Sequence, residues 1–269
     1  MTDSFLEKLN RCRKTVKLQR RADEKTIVIN RYDLWQQKFS VRDLKENLGK
    51  SLIKQYQDKL LVPLFQNNPL YSKVNRVAGS VRFTSKVCQA DFSDKFTGKN
   101  PETIFILISD PESQIKPIGE LIGDISIFAV DPIELYKTKL SAGAIGVMAN
   151  DRIKLLSDFP TDYKRLKCAY FNGIGVAENF QNLGVGVYLL YQALKELERR
   201  RFDVLITRVM KKAKNYRLMS RLSDEIVLTY SSARFGNDYR AVFSSPVKTM
   251  LIKLNLELKR KFYNFEELL

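Results

Sequence analysis

Histidine is missing from this sequence altogether. Its absence removes Ser-His-Asp and Cys-His nucleophile systems, histidine zinc sites and zinc-deaminase chemistry. Acid–base work, if any, falls to carboxylates, tyrosine, lysine, water or the substrate itself. Cysteine is scarce. Cys12, Cys88 and Cys168 lack metal-type spacing, and so odd and sparse a set fits free thiols in a reducing, cytoplasmic setting with no bound metal. No apolar run approaches the ~18–20 residues of a membrane span. The opening stretch "MTDSFLEKLNRCRK" has no signal-peptide apolar region. A soluble cytoplasmic protein without a membrane partner is the expectation. Acidic residues are also in deficit, 30 Asp+Glu against 46 Lys+Arg, for a net charge of +16. A field of that sign attracts polyanions: nucleic acid, acidic surfaces, phosphorylated cofactors. The same surplus also reads as lysine-rich solvated faces, so it describes encounter rather than recognition.

Hydrophobic residues make up 44% of the 269, enough for a real core. The first 25 residues read as a basic amphipathic surface helix or a nucleic-acid arm, with Phe5, Leu6, Leu9 and Val16 at loosely helical spacing. "KTIVINRYDLW" reads as a strand. "SVRDLKENLGKSLIKQYQDKLLVPLF" reads as a helix capped by Ser40 or Asp43 and ended by Pro63. A strand pair or an irregular extended stretch (77–92) and a polar loop, "SDKFTGKNPE", follow. "TIFILIS" (103–109) and "IGELIGDISIFAV" (118–130) form the clearest hairpin. Residues 131–163 read as a short helix or a short strand and a loop over the active face. Then come a strand (165–177), a helix with Val187, Leu190, Leu194 and Leu197 on its buried stripe, a strand (202–210), a helix, a hairpin turning at Gly236-Asn237, and a terminal helix opened by Pro246. The expected organisation is a basic N-terminal extension over 1–100 (helix, strand, helix), a core over 101–245, and a C-terminal helix over 246–269. Phe262, Tyr263 and Phe265 would pack on the domain or on a partner subunit; the oligomeric state stays open.

The chemistry concentrates in "VAENFQNLGVGVYLLYQAL" (176–194), where an apolar strand gives way to a glycine turn and a helix. A helix begins with unpaired N–H groups and a partial positive charge. Glycines at 184 and 186 would let those groups close around a phosphate without a Cβ clash. Gly173 and Gly175 weaken the preceding strand and permit close approach of a ligand or another backbone. Competing phosphate signatures fail: "GIGVAENF" is not G-x-G-x-x-G, and no G-x-x-x-x-G-K-[ST] occurs.

"QNLGVG" (181–186) matches the Q/R-x-x-G-x-G/A signature of the GNAT acetyltransferase superfamily. The order of elements over 103–243 resembles that family as well. The resemblance implies an α/β fold with a mixed, splayed central sheet flanked by helices, and acetyl-coenzyme A or another acyl-coenzyme A as cosubstrate. It implies that the amides of Gln181, Asn182, Leu183, Gly184, Val185 and Gly186 hold the diphosphate. The backbone of Ile174 and Val176 would pair with the pantetheine arm, and Asn215 would touch the cofactor. It implies acyl transfer to an amine, on a small or a macromolecular, nucleic-acid-linked acceptor. The catalytic half departs from the pattern. Asn172 stands where relatives carry a glutamate. Met219 stands where they carry an acidic tyrosine, with Tyr216 one turn earlier. Glu178 and Tyr216 are therefore the candidate base and acid. Glu120 and Asp124 are further carboxylates, each equally a solvated group or a turn cap, and Tyr216 reads equally as packing. Water could instead accept the proton, or the fold could be a noncatalytic module binding nucleic acid or a protein complex. "ERRR" (198–201) and "KKAK" (211–214) read as phosphate contacts; the first also suits a helix C-terminus, and the second the cofactor's 3′-phosphate.

Overall fold

A computed structural model describes residues 3–61, 93–98, 102–111, 118–131, 166–211, 213, 215–223, 225–232 and 238–268. The expected extended stretch 77–92, the 132–163 segment, Pro63, the Gly236-Asn237 turn and two lysines of "KKAK" lie outside these residues. Among the described residues no helix is long and apolar enough to cross a membrane. The fold is mixed α/β, with a mostly antiparallel sheet, and the chain divides into two compact units.

The first unit comprises Met1–Ile127, Gly173–Ala193 and Asn255–Leu269. Helix α1 (Phe5–Arg11) starts at a reciprocal cap in which Glu7 N–H donates to Ser4 Oγ and Ser4 N–H donates to the Glu7 carboxylate. It ends at Cys12. The chain continues as strand β1 (Arg13–Arg20), not as the longer helix that the spacing suggested. Only Phe5 and Leu9 anchor the helix, whereas Val16 and Leu18 bury at a spacing of two while β1 pairs with β2 (Thr26–Asp33). Ladder bonds to β2, and to the distant C-terminal strand, outweigh weak local helical spacing here. The expected long helix is also subdivided. A 3₁₀ turn (Asp43–Lys45) precedes α2 (Asn47–Gln55), and a π-helical stretch (Tyr56–Leu61) follows it. Ser40 and Asp43 cap each other by exchanging hydrogen bonds at the first of these turns.

Strands β3 (Ile104–Asp110) and β4 (Glu120–Val130) form the expected antiparallel hairpin. Both are apolar runs buried on two faces, as a central strand requires. The strand order in this unit is β9-β1-β2-β3-β4, antiparallel throughout. Strand β9 (Phe262–Leu268) revises the C-terminal reading. The last helix stops at Lys261, and the aromatic tail pairs with β1 instead of extending that helix. Phe262 is fully buried, and the exposed Tyr263 ring lies under the Arg21 guanidinium. The core includes Phe5, Phe39, Phe96 and Phe105, whose rings meet edge-on or tilted. Phe96 and Lys95 are both buried, although their segment is polar enough to read as a loop.

The second unit comprises Phe128–Asn172 and Leu194–Leu254. Its strand order is β5 (Cys168–Val176), β6 (Val204–Met210), β8 (Asp238–Pro246), β7 (Glu225–Ser232). Strands β5 and β6 are parallel; the other pairs are antiparallel. Helix α3 (Val185–Arg199) buries the stripe expected of it. Its C-terminal arginines turn back on their own helix, with Arg199 and Arg200 pairing Glu196. This favours the helix-end reading of "ERRR". Helix α4 (Tyr216–Leu222) follows β6, and α5 (Val247–Lys261) begins directly after Pro246.

Candidate functional site

Strand β5 splits its partners along its length. Its parallel ladder with β6 covers Cys168–Phe171 against Val204–Thr207, while the strand runs on to Val176. Within the first unit, the end of β5 lies against β4. Ala177 N–H donates to Ile122 O, and the Gly175 carbonyl sits 3.0 Å from where a Gly123 Cβ would stand.

A 3₁₀ turn (Glu178–Phe180) then leads into the glycine turn and α3. Gln181 locks this entry twice. Its N–H donates to Glu178 O, and its side-chain Nε2 donates to Val176 O at 3.0 Å. The Gln181 amide is thus already committed, which removes it from the set of candidate phosphate donors. Beyond it, Asn182 has φ 62° and Gly184 has φ 90°, whereas Leu183 between them has negative φ. Alternating handedness swings successive N–H groups toward one side, the arrangement of an anion-binding nest. Among the described residues, none accepts a hydrogen bond from the N–H groups of Asn182, Leu183, Gly184, Val185, Gly186 or Val187; the next amide, Tyr188 N–H, donates to Gly184 O. The helix N-terminal charge adds to this array.

The two glycines have different structural reasons. A Cβ on Gly184 would stand 2.6 Å from Phe262 Cζ, in a left-handed conformation that other residues rarely adopt. Gly184 is therefore required by β9 packing and backbone handedness. This packing reason stands beside the expected one, close approach of a phosphate. A Cβ on Gly186 would meet Ile174 Cδ1 and Val176 Cγ2 at an ordinary 3.6 Å. Ile174 and Val176 thus face α3, and Gly173 and Gly175 face the opposite side. Helix α3 is further pinned by Arg31, which donates to Tyr188 Oη and forms a paired ion contact with Asp33.

The candidate catalytic residues are distributed as follows. Glu178 is exposed, on the 3₁₀ turn of the first unit. Asn215 and Tyr216 belong to the second unit. Asn215 caps α4 without a side-chain bond, and the Tyr216 ring packs against Phe243 at 5.4 Å. Met219 is fully buried. Cys168 is buried, and burial, then the negative charges of Asp203 and Asp131, push its thiol up to about 12. Glu120 pairs with Lys59.

Asp124 is neither solvated nor a turn cap. It is 4% exposed in the middle of β4, and Tyr56 Oη donates to its Oδ2 at 3.3 Å. Lys95 Nζ donates to Tyr56 Oη at 2.5 Å and lies 3.5 Å from Asp124 Oδ2. A Cβ on Gly175 would stand 2.5 Å from Asp124 Oδ1. The sequence signal for this cluster was one carboxylate inside an apolar strand, "LIGDISIF". Its partners lie in distant segments.

No protein-family model matches the sequence, and no curated protein matches it. Among solved structures, the chain is similar to the aminoglycoside 6′-N-acetyltransferase from Enterococcus faecium, at 11% identity and TM-score 0.42, over 75% of this chain and 94% of that one. It is similar to a protein from Desulfovibrio desulfuricans described as an acetyltransferase of the GNAT family, at 13% identity and TM-score 0.40, over 68% and 93%. It is similar to nourseothricin acetyltransferase at 14% identity and TM-score 0.35, covering 55% of this chain and 66% of that one. Similarity of this degree leaves the chemistry to be read from the chain's own residues.

Proposed function

We propose that this chain binds an acyl-coenzyme A and transfers its acyl group, acetyl in the first instance, to an amine. The observation that carries the reading is the run of amides from Asn182 to Val187. Their backbone alternates in handedness over Asn182–Gly184, they run into the start of a long helix, and they make no hydrogen bond to any described residue. That array suits a diphosphate. Beyond Phe171, β5 continues outside its ladder with β6, which suits an extended pantetheine arm lying along Ile174 and Val176. The net charge of +16 favours an anionic cofactor and an acidic or nucleic-acid-linked acceptor. Glu178, on the turn that leads into this array, is proposed as a proton-handling group.

Thermal unfolding in the presence of acetyl-coenzyme A tests the reading. A ligand that binds only the folded state at 100 times its Kd adds about 2.7 kcal/mol. The expected result is a concentration-dependent rise in Tm. An unchanged Tm at millimolar acetyl-coenzyme A would remove the cofactor, and the transferase with it. Binding of nucleic acid in its place would support a noncatalytic module.

A further inference from the structure

We propose that Lys261, the last residue of α5, is an anion-binding residue: its ammonium neutralises the phosphate groups of the ligand that the Asn182–Val187 amides hold. The inference rests on the acyl-coenzyme A reading above. It adds a cation from the C-terminal segment, outside the 103–243 span in which the sequence resemblance lies.

Three observations carry it, all within the first unit. The first is proximity. Lys261 Cδ lies 3.4 Å from where a Gly184 Cβ would stand, next to the Phe262 ring at 2.6 Å. The stem of this lysine is thus packed on the glycine turn itself. Two further bonds of about 1.5 Å each lead from Cδ to the ammonium, so the charge stays beside the turn.

The second is the division of charge in the last turn of α5. Arg260 pairs with Glu257 at 3.4 Å, and the Lys259 side chain is exposed. Lys261 is half-buried, and among the described residues no carboxylate lies within ion-pair distance of its ammonium. A half-buried ammonium held by its stem and lacking a counter-ion is the arrangement that a phosphate completes.

The third concerns the helix end. A helix C-terminus carries a partial negative charge, which would repel a phosphate this close. Here Arg21, from the turn between β1 and β2, covers it. Its N–H donates to Lys261 O at 2.8 Å, and its Nε donates to Lys259 O at 2.7 Å and to Phe262 O at 3.1 Å. The carbonyls that would oppose an anion are therefore occupied by a cationic donor. The start of α3 and the capped end of α5 together offer amides and a positive charge. Lysine suits this place, because it meets phosphate as a point charge on a flexible stem.

The test is calorimetric titration of the full chain with coenzyme A at low and at physiological salt, beside a lysine-reactivity footprint. Lys261→Met keeps the stem against Gly184 and removes the charge. It should weaken coenzyme A about five- to tenfold at low salt, and less at physiological salt, with the Tm of the ligand-free protein retained. Lys261→Arg keeps the charge and should bind within about twofold of wild type. Lys248→Met removes the same charge from the exposed start of α5 and should leave the affinity unchanged. In wild-type protein, coenzyme A should protect Lys261, and not Lys248, from an N-hydroxysuccinimide ester, read by peptide mass spectrometry. Equal losses in Lys261→Met and Lys248→Met would show only the field of the net charge and overturn the assignment. So would unaltered affinity in Lys261→Met, or an unprotected Lys261; the acyl-coenzyme A reading would survive each of these. Wild-type protein that binds no coenzyme A would overturn that reading and the assignment with it.

Discussion

Gly184→Ala separates the structural from the chemical role of the glycine turn. The new Cβ would lie 2.6 Å and 2.9 Å from two ring atoms of Phe262. That ring cannot swing away, because Phe262 is fully buried at the start of β9. A left-handed conformation costs a non-glycine residue about 1–2 kcal/mol, and overpacking a filled site costs about 1–3 kcal/mol. The sum is about 2–5 kcal/mol. For a chain of this size it corresponds to a fall in Tm of roughly 4–20 °C. Gly186→Ala is the internal control. Its Cβ would meet Ile174 and Val176 at ordinary contact distance. Near a helix start, alanine should be neutral or stabilising by about 0.5–1 kcal/mol. Circular-dichroism melts of the two variants supply the comparison. Phe262→Ala in the Gly184→Ala background should recover part of the loss, since the two residues touch and their effects are coupled. A Gly184→Ala variant that melts with the wild type and binds acetyl-coenzyme A equally well would refute both the packing and the handedness argument.

Three other outcomes are expected. Burial, then the negative charge of Asp33, holds the Cys12 thiol at about 12, and Cys168 stands equally high. Both are raised above the ordinary 9.0, so their contribution to stability is complete below pH 9 and is lost as pH rises toward 12; alkylation of native protein at pH 8 should leave both unmodified until denaturant is added. Burial raises the Asp43 pKa, but hydrogen bonds from Ser40 and Lys8 outweigh it and keep the carboxyl below its usual 3.8. That contribution is present at neutral pH and lost as pH falls below the ordinary value, so Asp43→Ala should cost about 0.5–2 kcal/mol at pH 7, and less in acid, by urea titration. Phe96→Ala should cost about 3–5 kcal/mol, because the ring contacts Phe5, Phe39 and Phe105; a surface-like cost below 0.5 kcal/mol in the same titration would contradict its burial.

Legibility in the sequence followed the range of the interactions. The β3–β4 hairpin, β5 and α3 each carry their signal locally, as apolar runs bounded by turn residues or as a helical stripe. The glycine turn was readable for the same reason. Strand β9 was not, because its ladder partner β1 lies nearly the whole chain away, and β1 was hidden by the loosely helical spacing of its apolar residues. Residues such as "FYNFEEL" look like the fraying end of a helix until that partner is present. Lys95 and Phe96 sit in a segment whose average polarity hides one buried cation and one buried ring. Asp124 was visible as a candidate carboxylate. Its environment depends on Tyr56, Lys95 and Gly175, which no local window brings together.

The central claim concerns backbone amides, so amide ¹⁵N–¹H resonances report on it most directly. Titrating isotope-labelled protein with coenzyme A should move the resonances of Asn182 through Val187 together, with Gln181 moving less because its N–H is held by Glu178. Saturable binding that shifts other regions and leaves those six resonances in place would contradict the account.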